Sequence, residues 1–446
     1  MEERENMETY VERARELPVA GSYDVVVCGG GPAGFMAALA SARRGARTLL
    51  VERYGILGGT ATAGMMVEFG SIYDGAQTIV GGATHEFLHR LVDFGGVERF
   101  DARAHSMIFD PESMIAICLD MCKEAGVEML FHTLVVDAVK SGTNVNGVIL
   151  ENKSGRSVVR GKVLIDATGD GDVAARAGAA FRTGRDGDSM VQPVTLEVIL
   201  GNVDVTRLPK SHHDVTAAIR EAASRGEWAI PTERIFSWGR VCKRGAPDDP
   251  HAADFFINVT NALNVDGTSA RDLTRAEIET RGQLEGLLRF LREHVTGFEK
   301  CFLDRTAVQV GIRETRRITG DYELTREDVL SARHFPDGVV PACNSIDVHE
   351  VTGKNFEHEW LKPGTHYQIP YRCFLPQGLD GILVAGRCLS ADHHALGSAR
   401  VMVVCLPMGE ACGIAAALAA DRSCPPRQIQ ADDIRTALRN NGTVVV

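Results

Sequence analysis

The chain has 446 residues, 44% hydrophobic and 24% charged, with 48 Lys and Arg against 59 Asp and Glu for a net charge of −11. These proportions exclude a disordered or collagen-like chain, and the lack of any Lys/Arg run excludes a binder of nucleic-acid backbone. The length predicts two or three domains, or one large domain carrying an insertion.

In chain order, residues 1–21 read as an acidic arm without the apolar core of a signal peptide. Ser22–Gly34 reads as an apolar strand running into a glycine turn, Phe35–Arg44 as an Ala-rich helix and Arg47–Glu52 as a second strand, together one βαβ unit. Pro111–Ala125 has helical spacing, with proline in its first turn. Val127–Phe131, Leu134–Lys140 and Val145–Glu151 are predicted strands, the last two a hairpin around a Gly/Asn turn. Lys162–Ala167 is a further buried strand, followed by TGDGD, where Asp170 and Asp172 are placed to cap the next helix. From about Val191 to Thr365 the pattern changes. VTLEVIL and FFINVT read as strands, Asp272–Leu291 as one amphipathic helix and His212–His213 as solvated surface. Gln368–Tyr371 and Gly381–Val384 return to strand. Val401–Ala420, broken by Pro407 and Glu410, reads as a buried core helix and not as a membrane span. The predicted class is α/β: a discontinuous Rossmann-like domain with a parallel sheet (22–190 and 366–446), interrupted by an inserted α+β domain (191–365).

The 11 cysteines are scattered and form no CxxC. Zinc, iron–sulfur and disulfide spacings are all missing, which predicts a cytoplasmic protein with buried thiols and no metal.

The motif Gly29-x-Gly31-x-x-Gly34 lies between an apolar strand and a helix. Gly29 allows the tight turn, Gly31 lets backbone N–H groups approach a pyrophosphate, and Gly34 lets the helix pack on the strand. The positive end of that helix faces the phosphates. Glu52, ending the second strand, can accept hydrogen bonds from a ribose. This combination predicts dinucleotide binding. Three later features favour FAD over NAD: a second glycine-rich loop at Gly55–Met66, Ala167-Thr168-Gly169 after a late strand, and the strand-turn Leu383–Arg387.

The segments VVVCGGGPAGFMAALASARRGARTLLVER, LGGTATAG, DATGDGDVAARAGA, GIRETRRITGDYELT and GRCLSADHHALGSARVM follow one another along nearly the whole chain. In this order they resemble the FAD-dependent oxidoreductase family of the glutathione-reductase-like superfamily. That family is related to the fumarate reductase/succinate dehydrogenase flavoproteins and to the flavin subunit of heterodisulfide reductase. The resemblance implies non-covalent FAD, with contacts from Pro32 and Ala33 in the first loop, Arg53 beside Glu52, Gly59 and Thr60 in the second loop, and Val135. It also implies contacts from Ala167, Thr168, Gly169, Gly386 and Arg387, and from Asp392, Gly397 and Ser398 in a loop against the flavin ring, with Ser398 opening the last helix. Three departures matter. No ferredoxin-type cysteine motif and no second GxGxxG occur, and position 394 is His where relatives often carry an acid.

Flavin oxidation needs a base for the proton that leaves with the hydride. Imidazole suits that role near neutral pH, which selects His393 or His394. Arg400 can hold a substrate carboxylate or the flavin C2 oxygen. Arg313 and Arg316, with Arg317, can bind an anionic substrate at the site entrance, or form an ion-pair network with acids such as Asp321 and Glu323. Tyr367 and Tyr371 can each donate a proton or form a wall against a ring, and Tyr371, beside Pro370, can instead be packing only. Cys388 is either a reactive thiol or small buried packing.

The expected activity is hydride transfer between a small organic substrate and flavin N5, by a dehydrogenase or oxidase acting on a C–OH or C–C unit. Electrons then pass to oxygen or another external carrier. The alternatives are a flavin monooxygenase, a double-bond reductase, or an electron-carrying subunit of a larger redox complex. A homodimer is the prior for assembly.

Overall fold

Val25–Cys28 and Thr48–Val51 are buried throughout, as a parallel sheet covered on both faces requires. The computed structural model describes residues 9–97, 101, 103–104, 106–245, 249–354 and 356–443; residues 1–8 of the predicted arm lie outside them. The strand Val19–Cys28 pairs in parallel with Thr48–Val51 on one side and Gly155–Asp166 on the other. Glu128–Leu130 continues the sheet beyond Thr48–Val51. Ile382–Val384 returns from far along the chain to pair in parallel with the end of Gly155–Asp166. The antiparallel hairpin Leu134–Ser141 and Asn144–Asn152 completes the sheet on the other edge. This is the Rossmann-like α/β architecture that the βαβ pattern predicts.

Two boundaries differ from the sequence reading. The first strand begins at Val19, opposite Val158, and reaches into the predicted arm. Lys162–Ala167 is only the end of a strand of 12 residues, whose first half carries Arg156, Ser157 and Arg160 and so has no apolar run.

A second, antiparallel sheet runs in the order Ser237–Val241, Ala253–Asn258, Val198–Val203, Phe302–Thr306. The predicted helix Asp272–Leu291 is two helices, Ala270–Gly282 and Leu284–His294. At the junction Gln283 bonds the Asn261 backbone through both amide atoms, at 2.9 and 2.7 Å. His212 is not solvated surface: it packs edge-on to Trp238, 6.1 Å between ring centres, and burial pushes its pKa down to about 4.

The helix Met402–Arg422 has a mean hydropathy of 1.8 and is long enough to cross a bilayer, yet 94% of its apolar window is buried within the protein. Gly409 and Gly413 lie directly on the helix Pro32–Arg43, where a Cβ would overlap the carbonyl oxygens of Ala33 and Ala37. Ser41 Oγ donates across this contact to the Gly413 carbonyl at 3.1 Å.

The same long helix carries Glu410, fully buried. Its Oε1 accepts from Thr443 Oγ1 at 3.2 Å, Oε2 has no partner, and burial raises its pKa from 4.5 to about 7. Between those two values the folded chain holds a proton that the unfolded chain has lost. Glu410 therefore stabilises the fold less as pH rises through this window. Glu410→Gln is expected to flatten the fall in Tm from pH 5 to pH 8 and to raise Tm at the upper end. An unchanged pH profile of Tm removes Glu410 as its source.

Candidate functional site

The carboxyl ends of the parallel strands, at Cys28, Val51, Asp166 and Val384, lie along one edge of the sheet, where a ligand of this architecture binds. Gly29 N–H donates to the Val51 carbonyl at 2.8 Å, turning the chain sharply after Cys28. A Cβ on Gly34 would overlap the Gly29 carbonyl oxygen, so glycine is obligatory there. Gly31 is different. A Cβ built on it meets nothing nearer than the Gly59 Cα at 4.0 Å. The helix Pro32–Arg43 has no side-chain cap and no acid in its first turn. Its first N–H groups are left for an incoming anion. Gly58 N–H donates to the Gly30 carbonyl at 2.8 Å, holding the second loop, with Gly59 and Thr60, against the first. This glycine-lined cradle at a helix start fits a diphosphate.

Glu52 forms the side of the cradle. Its carboxylate accepts the N–H groups of Gly30 at 2.6 Å and Tyr54 at 2.9 Å. It thus clamps the loop, and its remaining lone pairs can accept ribose hydroxyls. Arg53 lies over the Tyr54 ring and bonds Gln309 at 2.7 Å. Val135 stands opposite Leu150 in the hairpin, whose entry is tied to Glu52 by Thr133 N–H at 3.1 Å.

Along the same edge, Ala167 N–H bonds the Cys28 carbonyl at 2.9 Å. Gly386 approaches Ala33, where an added Cβ would lie 3.2 Å from the alanine methyl. Beside Gly169, Arg387 pairs with Asp170 at 2.9 Å and donates to Thr315 at 3.2 Å. Asp166, not Asp170 or Asp172, serves the helix Asp172–Arg176. Its fully buried carboxylate accepts from Ala174 N–H at 2.9 Å and Thr168 Oγ1 at 2.7 Å, and burial lifts its pKa to about 6. Asp172 bonds Arg316 at 2.9 Å instead. Cys388 is fully buried and its thiol is pushed well above the usual range, so it is packing and not a nucleophile.

The structure separates the two adjacent histidines. His393 is buried, and its Nδ1 lies 3.0 and 2.9 Å from the two carboxylate oxygens of Glu314. Arg317 bonds the same carboxylate and is fixed by the carbonyls of Ala391 and Gly184 at 2.9 and 2.8 Å. A carboxylate only accepts, so Nδ1 carries a proton, and in the neutral ring Nε2 then carries the lone pair. His394 is 37% exposed and faces Glu357 at 3.3 Å. Asp392 caps the helix His393–Ala399 through Ala395 N–H at 2.7 Å and also accepts Arg326 N–H at 2.7 Å.

Ser398 ends this short helix and does not open the last one. The chain becomes extended at Val401 before Met402–Arg422 begins. Its Oγ donates to the Asn344 carbonyl at 2.5 Å and meets Tyr367 Oη at 2.8 Å. Gly397 packs on Asp347, where a Cβ would lie 2.9 Å from the carbonyl oxygen. Tyr371 is buried, with its hydroxyl on the Pro426 carbonyl at 2.9 Å, so it is not brought to the histidine cluster.

Arg400 donates to Gln192 Oε1 at 3.1 Å and to the Asp347 carbonyl at 3.0 Å. Gln192 N–H in turn meets Glu314 at 3.4 Å, linking Arg400 to the His393 pair. Arg313 bonds only neutral oxygens, Pro193 O and Thr195 Oγ1, both at 2.8 Å. Burial and the nearby Arg400 lower its pKa to about 10. The expected partners of the arginine run are engaged elsewhere: Asp321 with Arg427 at 2.6 Å and Glu323 with Arg182 at 3.6 Å. Sequence reasoning missed Glu314, Gln192 and Asp347. Glu314 lies inside the segment GIRETRR, where nothing local distinguishes it from the arginines around it.

A family model described as FAD dependent oxidoreductase matches residues 24–438. A dihydrolipoyl dehydrogenase of Trypanosoma brucei brucei is 52% identical over 46 residues, 10% of either chain. A mitochondrial dihydrolipoyl dehydrogenase of Arabidopsis thaliana is 32% identical over 152 residues, 33% of this chain and 28% of that protein. The chain thus matches under a third of the length of these curated relatives. Among solved structures, a geranylgeranyl bacteriochlorophyll reductase-like protein from Thermoplasma acidophilum is 14% identical with a TM-score of 0.45, over 95% of this chain and 84% of that one. A flavin-dependent brominase is 13% identical with a TM-score of 0.48, over 94% and 83%.

Proposed function

The chain belongs to the FAD dependent oxidoreductase family, and from that premise we propose that it is a dehydrogenase or oxidase of a C–OH or C–C unit in a small organic substrate. FAD, when bound, supplies the two-electron centre that takes the hydride. Its diphosphate would be held at Gly29–Gly34, its ribose at Glu52, and its length by Gly59, Ala167–Gly169 and Gly386–Arg387. We assign 22–190 and 366–446 to the cofactor part and 191–365 to the substrate part.

The observation that carries the reading is the buried Glu314–His393 pair. A substrate that loses hydride also loses a proton. Nε2 of His393 takes it, while the Glu314 carboxylate fixes the tautomer and stabilises the imidazolium. Arg317 holds Glu314 in that orientation. Electrons then leave to oxygen or an external carrier.

The test is anaerobic mixing of the FAD-loaded protein with hydroxy acids, sugars, amines and aromatic alcohols, followed by flavin absorbance. Bleaching by one class supports the reading. A flavin reduced only by a nicotinamide nucleotide, with a hydroxylated product on admitting oxygen, establishes monooxygenation instead. His394→Ala is expected to bleach at close to the wild-type rate; a large loss would move the base to His394.

A further inference from the structure

The antiparallel sheet carries a row of polar side chains on one face. Its register sets Ser237 opposite Asn258 and Val198 opposite Ile257, so that Glu197 stands across from Asn258. Directly paired residues share a face. Ser237, Asn258 and Glu197 therefore form one line across three strands, on the face opposite Trp238.

Asn258 and Glu197 are 5% and 2% exposed. Asn258 Oδ1 and Glu197 Oε2 have no hydrogen-bond partner among the described residues. Two residues before Glu197 on the same face, Thr195 bonds Arg313. Glu68 lies against Ser237 and interacts with Glu197.

Buried polar atoms without partners lose the water they had in the unfolded chain and gain nothing. Buried guanidiniums without a full anionic partner are costlier. Arg313 meets only neutral oxygens, while Arg400 has Asp347 at the 4.0 Å limit of an ion pair and an unpartnered Nε. The two guanidiniums are held by adjacent residues, Arg400 by Gln192 and Arg313 by Pro193, and Arg313 also bonds Thr195, two residues before Glu197. Positive charge wanting a carboxylate thus adjoins acceptors wanting O–H donors.

We propose, resting on the oxidoreductase reading above, that the substrate is a small hydroxy acid, its carboxylate held by Arg313 and Arg400 and its hydroxyl groups by Asn258 and Glu197. In the reaction, the C–H bond of the carbinol carbon breaks and its electron pair leaves as hydride to FAD. The proton of the hydroxyl being oxidised goes to His393 and a C=O bond forms, while Asn258 and Glu197 hold a second hydroxyl of the substrate. The substrate loses two electrons and FAD gains them.

Binding is measured by calorimetry on FAD-loaded His393→Ala, in which slow turnover permits equilibrium. The probes are lactate, malate, tartrate and gluconate; the controls are propionate and succinate, glycerol, alanine and aspartate, and 4-nitrophenol. At least one hydroxy acid is expected to bind roughly tenfold or more tighter than its deoxy, carboxylate-free and amino counterparts. Glu197→Met and Asn258→Leu, added in the same background, are expected to weaken that binding roughly tenfold. They should leave Tm equal or higher, since apolar atoms replace unpartnered polar ones.

Tighter binding of the amino acids or of 4-nitrophenol overturns the proposal. So does unchanged affinity in both variants, or an absence of binding by every hydroxy acid. Selective binding without bleaching of the native enzyme supports the substrate class while overturning the proposed oxidation.

Discussion

Gly31→Glu is expected to give a folded but colourless protein. Gly31 has an extended conformation, φ −68° and ψ −176°, so any residue suits its backbone. The nearest protein atom to an added Cβ is 4.0 Å away, so the side chain enters open space and not the core. That space is where the cradle would receive a diphosphate. A carboxylate there brings negative charge against the phosphates and occupies the N–H groups of the first helical turn. FAD affinity is expected to fall ~100-fold or more, with loss of the ~2.7 kcal/mol of stabilisation that a hundredfold excess of ligand over its Kd confers. Without FAD, the Tm of variant and wild type should agree. Gly34→Ala is the contrast: its methyl would overlap the Gly29 carbonyl oxygen, so it should damage folding itself. The ratio of flavin to protein absorbance decides the matter, and a fully yellow Gly31→Glu protein would show that the diphosphate lies elsewhere.

His393→Ala is expected to slow substrate bleaching of the flavin by ~10²–10⁴-fold, the usual contribution of a positioned base, with FAD loading unchanged. Glu314→Gln should slow it comparably. The new amide can turn its NH₂ toward Nδ1 and favour the wrong tautomer, and Arg317 loses its counter-charge. Stopped-flow reduction under nitrogen measures both. Wild-type rates in His393→Ala would remove this histidine from the chemistry.

The cofactor half of the site is legible in the sequence because its constraints are steric and local. Gly29, Gly31 and Gly34 occupy one turn, and Glu52 closes the same βαβ unit. The other half depends on long-range pairing. His393 and His394 are alike in the sequence, and the partner that separates them is Glu314, 79 positions away. The row through Ser237, Asn258 and Glu197 exists only once strand register is known. Asp166 reads as part of the buried strand Lys162–Ala167, and nothing local shows that it, and not Asp170 or Asp172, serves the following helix. The single predicted helix Asp272–Leu291 divides because Gln283 finds the Asn261 backbone, a contact without periodic signature.

The contact of Gly409 and Gly413 with Ala33 and Ala37 has a consequence for biosynthesis. The glycine loop is translated before the residues that back its helix, Ser41 and Gly413 being 372 positions apart. Until Met402–Arg422 emerges, the nascent chain exposes the apolar flank of its first helix, a surface of the kind chaperones bind. A chain truncated before Met402 is therefore expected to stain for exposed hydrophobic surface and to stay colourless when FAD is added.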